Sequence, residues 1–222
     1  MNFISRRDWA FLALISLYSF IPAVFGLLRI PELLGGPPII PPNPRAVIGP
    51  MPIALHILGS SVFCLAGALQ FLPSLRRHRP ALHRTLGRIV AAAGCVSALT
   101  GLWMTVSYTF PEALQGPLLY WTRVTLSLAM VALIAWAIVA IRSRQLAKHR
   151  AAMLRAYAIG QGASTQTALG LIAMALLDSE PLGFSRDILM VGAWVINLVV
   201  AELLIHRVFA TRTSSAVISS RS

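Results

Sequence analysis

The feature that most limits what this chain can become is a series of six apolar stretches, each as long as a bilayer's hydrocarbon core is thick: residues 9–28, 53–72, 89–110, 118–141, 153–177 and 188–205. A helix rising 1.5 Å per residue needs about 20 residues to cross a ~30 Å core. Lipid offers backbone amides no hydrogen bonds, so only helices and closed barrels can span it. Barrel strands are ~10 residues of alternating polarity, and none of these stretches alternates. An all-α, polytopic transmembrane bundle of about six helices follows. The composition agrees, with 57% of the 222 residues apolar and 12% charged, where soluble domains are nearer about half and about a quarter. One membrane domain is expected over residues 1–210. Residues 211–222, rich in Ser and Thr, are expected to form a disordered cytoplasmic tail.

The placement of charge orients the bundle. Arg6 and Arg7, then Arg76, Arg77, Arg79, Arg84 and Arg88, then Arg142, Arg144, Lys148, Arg150 and Arg155, and finally Arg207, Arg212 and Arg221 fall on one side of the alternating spans. Only Arg29, Arg45 and Arg186 fall on the other. By the positive-inside rule both termini are expected in the cytoplasm of a bacterial inner membrane, with the bilayer as the principal partner. The net charge of +12 therefore does not indicate nucleic acid, since no basic patch is interleaved with stacking aromatics on a polar domain.

The first stretch exceeds the ~7–15 residues of a signal-peptide core, which favours a retained anchor. Residues 30–52 follow with eight prolines, a density that reads as an irregular outer loop without helix, serving as a lid or a spacer. Cys64 and Cys95 both sit inside apolar runs, so neither a disulfide framework nor a metal site is expected.

Inside lipid a polar side chain must find a partner within the bundle, so polar stripes mark inward faces. On the second span His56, Ser60, Gly67 and Gln70 fall close to one helical line; on the fifth, expected as one continuous helix, Tyr157, Gln161, Ser164 and Thr165 repeat the pattern. Two readings stand side by side: interhelical hydrogen bonding with close backbone approach, as from Gly160 to Ser164, or a polar cavity for a ligand or water. Arg123 on the fourth span either snorkels to headgroups or faces His56. On the sixth, Asn197 and Glu202 interrupt an apolar run. Glu202 is open to pairing with His206, Arg88 or Arg155 and is the best-placed carboxylate for proton handling. These residues, His56, Gln70, Arg123, Arg155, Tyr157, Gln161, Asn197 and Glu202, form the candidate ligand-binding set.

A second set lies at the basic side. His83 and Arg84 lead to Arg88, and His149 and Arg150 lead to Arg155. Such His-Arg pairs serve either as positive-inside anchors or as an anion or haem-propionate site, because guanidinium groups hold such anions in bidentate fashion.

Several segments resemble a known group of bacterial membrane proteins, domain of unknown function 2306. They are His56 with Gly59 and Gly67 to Phe71; Arg79-Pro80 and His83-Arg84 to Gly87-Arg88; His149-Arg150 with Met153, Arg155, Tyr157 and Ala158; and Trp194 with Asn197, Leu198, Ala201 and Glu202. The resemblance runs from the second span to the sixth and omits the first span and the proline loop. It implies a multi-helix membrane domain and supplies no activity, substrate or cofactor. Gln166 stands where the resemblance implies an arginine, which puts an anion site at that position in doubt.

Three functions remain open on sequence. The first is binding or transport of a small hydrophobic or weakly acidic solute along the polar stripes, although the spans read as unbroken and show no inverted repeat of the kind common in transporters. The second is a haem b or quinone-linked redox protein, for which His56 is the sole histidine well inside a span. The third is a non-catalytic accessory subunit or sensor. An enzymatic role rests on no paired carboxylates, nucleophile motif or metal-spaced cluster, and no oligomeric state is specified.

Overall fold

The computed structural model describes residues 5–41 and 49–219, with side chains described as far as Arg207. All regular structure among the described residues is helical. In chain order the helices are α1 (Arg6–Leu28), the single turn α2 (Ile30–Leu33) and α3 (Pro50–Ser61), which passes through a π-turn (Val62–Ala66) and a 3-10 turn (Leu69–Phe71). Then come α4 (Pro73–His78), α5 (Pro80–Ser107), α6 (Pro117–Arg142), α7 (Leu146–Gly160), α8 (Gly162–Leu177) and α9 (Phe184–Ser219). Five segments are long and apolar enough to cross a bilayer: Arg6–Leu33, Pro50–Phe71, Pro80–Ser107, Pro117–Arg142 and Phe184–Arg207.

The sixth differs from expectation. The run 153–177 is interrupted at Gln161, so that α7 carries its basic half and the apolar α8 the remainder. The proline-rich stretch differs too, holding the turn α2 and giving Pro50 and Pro52 to the first turn of α3. Proline costs nothing there, because the first amides of a helix have no intrahelical acceptor; Pro73, Pro80 and Pro117 open α4, α5 and α6 in the same way. The centre of that stretch, with Pro42, Pro44 and Arg45, lies outside the described residues. The expected tail from Thr211 has a helical backbone to Ser219, and its side chains lie outside the described residues.

Tertiary contacts fix the alternation of the helices. At one end the Asp187 carboxylate accepts from the amides of Gly116 (3.0 Å) and Leu119 (3.1 Å), capping α6 from the first turn of α9. There too the Gly183 amide donates to the Ala113 carbonyl at 2.8 Å, Tyr108 donates to the Gly49 carbonyl, and Leu33 packs on Ile53 and Ile57. At the other end His149 reaches the Ala137 carbonyl at 2.9 Å, and Arg76 feels the charge of Arg150. The basic loops therefore share one end of the bundle, to which the start of α1 and Arg207 of α9 also belong.

At the centre lies Phe63, fully buried between α5 and α7. A methyl group on either Gly94 or Gly160 would lie 2.6 Å from its ring, so these two glycines form the slot that admits it. The outer wall is apolar, with Leu14, Trp103, Trp121, Trp136 and Leu171 exposed, as lipid contact requires.

Candidate functional site

The break at Gln161 releases carbonyls from the end of α7, and each must find another donor if it is to lie away from water. Three side chains from other elements supply them. Asn197 Nδ2 donates to the Ala158 carbonyl at 3.1 Å, Trp194 Nε1 to that of Ile159 at 3.1 Å, and Cys64 Sγ to that of Gly160 at 3.4 Å. Tyr157 answers in the opposite direction, donating to the Cys64 carbonyl in the π-turn at 2.6 Å. The two irregular turns therefore satisfy one another. Close approach is essential here: a methyl on Gly67 would meet the Tyr157 ring at 2.9 Å, and one on Gly162 would collide with Trp194.

Gln161 itself is buried at the centre of a network. Its Oε1 accepts from Ser19 of α1 (3.0 Å) and Ser164 of α8 (2.9 Å), and its Nε2 donates to the Tyr157 hydroxyl at 2.9 Å. Thr165 donates to Asn197 Oδ1 at 2.7 Å and hydrogen-bonds Tyr18 of α1. Phe63 and Phe71 flank the Tyr157 ring, with centroids 5.8 and 4.9 Å away.

On this network rests a cavity of about 390 Å³, lined by α1, α3 with its π-turn, α5, α6, both halves of the broken helix, Phe110 and Trp194. Along α6 its lining runs from Arg123 to Met130, a depth of about 10 Å at 1.5 Å per residue. His56 Nδ1 donates to the Ser97 carbonyl at 2.9 Å, which leaves Nε2 as the ring atom available to a ligand. Arg123 lies over the Phe110 ring, its guanidinium carbon 5.5 Å from the centroid, and donates to Gln115 Oε1. Ser19, Ser60, Ser61, Ser97, Thr105, Ser127 and Ser164 add hydroxyls to the lining. No carboxylate lines the cavity among the described residues.

The candidate ligand-binding residues thus divide. His56 and Arg123 share the cavity, whereas Tyr157, Gln161 and Asn197 belong to the adjoining network, which reaches the lining through Ser19, Cys64 and Ser164. Gln166, which also lines it, donates to the Met190 carbonyl at 3.1 Å. Arg155 and Glu202 form a bidentate pair, Nε to Oε1 at 2.5 Å and Nη2 to Oε2 at 2.8 Å, with side chains 36% and 40% exposed. They fasten α7 to α9 near the basic end, away from the cavity. Gln70 lies beside Gly87, whose added methyl would sit 3.1 Å from its Oε1, again away from the cavity. In the second set His83 lies within electrostatic reach of Arg76, His149 and Arg84, and Arg84 and Arg88 are exposed.

Two contributions were not anticipated. Ser19, in a stretch read only as an anchor, reaches the network's centre, and Asp187, one residue before the sixth apolar stretch, is buried as a helix cap. A serine one residue from a tyrosine in an apolar span was the available signal for the first; Asp187 carried none.

The family model for DUF2306, described as a predicted membrane protein, matches residues 53–205. The chain belongs to this family. No curated protein and no solved structure matches it. The DUF2306 segment takes in four of the five segments long enough to cross a bilayer, together with the broken helix, the whole Gln161 network apart from Tyr18 and Ser19, and every lining element except α1. Within it, one described histidine lines the cavity, whereas a bis-imidazole haem requires two at one depth on different helices.

Proposed function

We propose that this protein binds a small, largely apolar, weakly acidic organic molecule inside its transmembrane bundle and serves its capture or passage. One observation carries the reading: a cavity of about 390 Å³, within the range of small-ligand sites, has Arg123 and His56 as its basic groups and no described carboxylate, in a lining otherwise of apolar side chains, hydroxyls, the Cys64 thiol, the Gln166 amide and Trp194. A carboxylate could pair with the guanidinium while its chain lies among Leu126, Met130 and Met104, all lining residues. The interruption at Gln161 adds support, since solute-handling bundles place unwound helix beside their midplane sites. A bacterial inner membrane with cytoplasmic termini is the setting the Lys and Arg bias favours.

The test is thermal unfolding of the detergent-purified chain with octanoate, octanol or no addition. Octanoate is expected to raise Tm and octanol to do so far less. The difference between them should disappear in Arg123→Gln. Equal shifts for the two probes, or an octanoate shift unchanged in the variant, would overturn the acidic-solute reading.

A further inference from the structure

Among the described residues, two buried side-chain polar atoms have no hydrogen-bond partner: Gln70 Nε2 and His83 Nδ1. Leaving such a group unpaired is costly, and the contrast with the Gln161 network, where each freed carbonyl finds a donor, makes the pair conspicuous. Both atoms belong to one place. The Gln70 amide lies against Gly87 of α5, and Gly87 follows His83 by four residues, one turn along the same helical face, a separation of about 5–6 Å. Neither atom belongs to the cavity described above.

Cations surround this point. Arg76, on α4 immediately after the turn that holds Gln70, lies within electrostatic reach of both His83 and Arg150 at the start of α7. Burial first, and then the charges of Arg150 and Arg77, hold the Arg76 guanidinium below its ordinary pKa. The described acids nearest this end are otherwise engaged, Asp8 in the α1 capping box and Glu202 with Arg155. His149 is committed through Nδ1 to the Ala137 carbonyl.

We propose that the space between the Leu69–Phe71 turn, the first two turns of α5 and the start of α7 is an oxoanion site that takes a phosphate group. Gln70 Nε2 and His83 Nδ1 act as neutral donors, and Arg76 and Arg150 supply charge. An unpaired amide hydrogen, an imidazole N–H and two guanidinium groups are the donor set that a tetrahedral, multiply accepting anion satisfies. The phosphate belongs either to a phospholipid headgroup at the bilayer surface or to a soluble phosphate compound, and the two sources share this chemistry.

The experiment uses the full chain and two probes. In native mass spectrometry with equimolar phosphatidylglycerol and a neutral diacylglycerol, and in thermal unfolding with inorganic phosphate, wild type is compared with Gln70→Glu, Arg76→Gln and the exposed control Arg88→Gln. Gln70→Glu keeps the side chain's shape while replacing its donor with a negative charge. A lipid site predicts retained phosphatidylglycerol adducts, weakened at least tenfold by Gln70→Glu and Arg76→Gln and little by Arg88→Gln, with no effect of inorganic phosphate. A soluble-phosphate site predicts a phosphate-dependent Tm rise with the same pattern of loss and no lipid preference. His83→Gln, which retains a donor, is expected to keep most of either signal. Binding of neither probe, as for a space holding only water, would overturn the proposal, as would an Arg88→Gln effect equal to that of Arg76→Gln.

Discussion

The first helix and the family-matched helices that follow it are held in place by different physics. Only 6% of the apolar window of Arg6–Leu33 is buried, against 39% for Pro50–Phe71. In the span of α1 the sole buried side chain besides the capping acid Asp8 is Ser19, and the helix meets the bundle through Ser19 on Gln161, Tyr18 on Thr165 and the fit of Gly26 on Ile57. Within residues 53–205, by contrast, Phe63 fills a slot cut by two glycines, and Tyr157 stands between two aromatic rings. Lipid is as apolar as a leucine side chain, so apolar contact alone gives a helix little reason to prefer protein over bilayer. Shape fit and buried polar pairs must do so, and the inner helices have both where α1 has chiefly the second. Since α1 also forms one wall of the cavity, the least firmly packed helix is the one whose displacement would open it sideways.

Substitutions test that contrast, the most damaging first. Gly160→Val should be the worst, because the added carbons enter the Phe63 slot; a loss of about 3 kcal/mol or more is expected, read as a collapse of Tm or of detergent-soluble yield. Gln161→Leu removes three described hydrogen bonds, at about 0.6 kcal/mol each in membrane interiors, or about 2 kcal/mol together. A double-mutant cycle with Ser19→Ala should show that the two share one interaction. Ser19→Ala alone should cost about 0.6 kcal/mol while loosening α1, detectable as faster proteolysis of the 30–52 segment with the remaining helices intact. If Ser19→Ala proved as harmful as Gly160→Val, the distinction between a tethered helix and a packed core would fail.

The spans were legible because twenty residues of hydropathy average out local noise, and the inward faces because lipid tolerates so few polar groups. His56, Tyr157 and Gln161 point into the bundle for that reason. The break was not legible. Gly160 and Gly162 flank it, yet glycine is common in unbroken membrane helices; what stabilises the interruption is a set of donors, Cys64, Trp194 and Asn197, from segments distant in sequence. Partner choice was equally hidden. Glu202 had three basic candidates within one leaflet, and only the packing of α7 on α9 selects Arg155, turning the best-placed acid for proton handling into one half of an exposed ion pair. Asp187 caps α6 across 68 residues, a relation no local pattern announces.

The central claim is that the polar faces enclose a cavity that a small molecule can enter, rather than merely zipping helices together. Thiol labelling tests it most directly. In a Cys64→Ala, Cys95→Ala background, Ser127→Cys on the cavity wall and Leu128→Cys, whose parent side chain is 54% exposed on the outer face, are treated with a small charged methanethiosulfonate in the membrane. The account predicts modification at position 127, slowed by octanoate, and none at 128, where lipid prevents thiolate formation. Labelling at 128 with silence at 127 would contradict it.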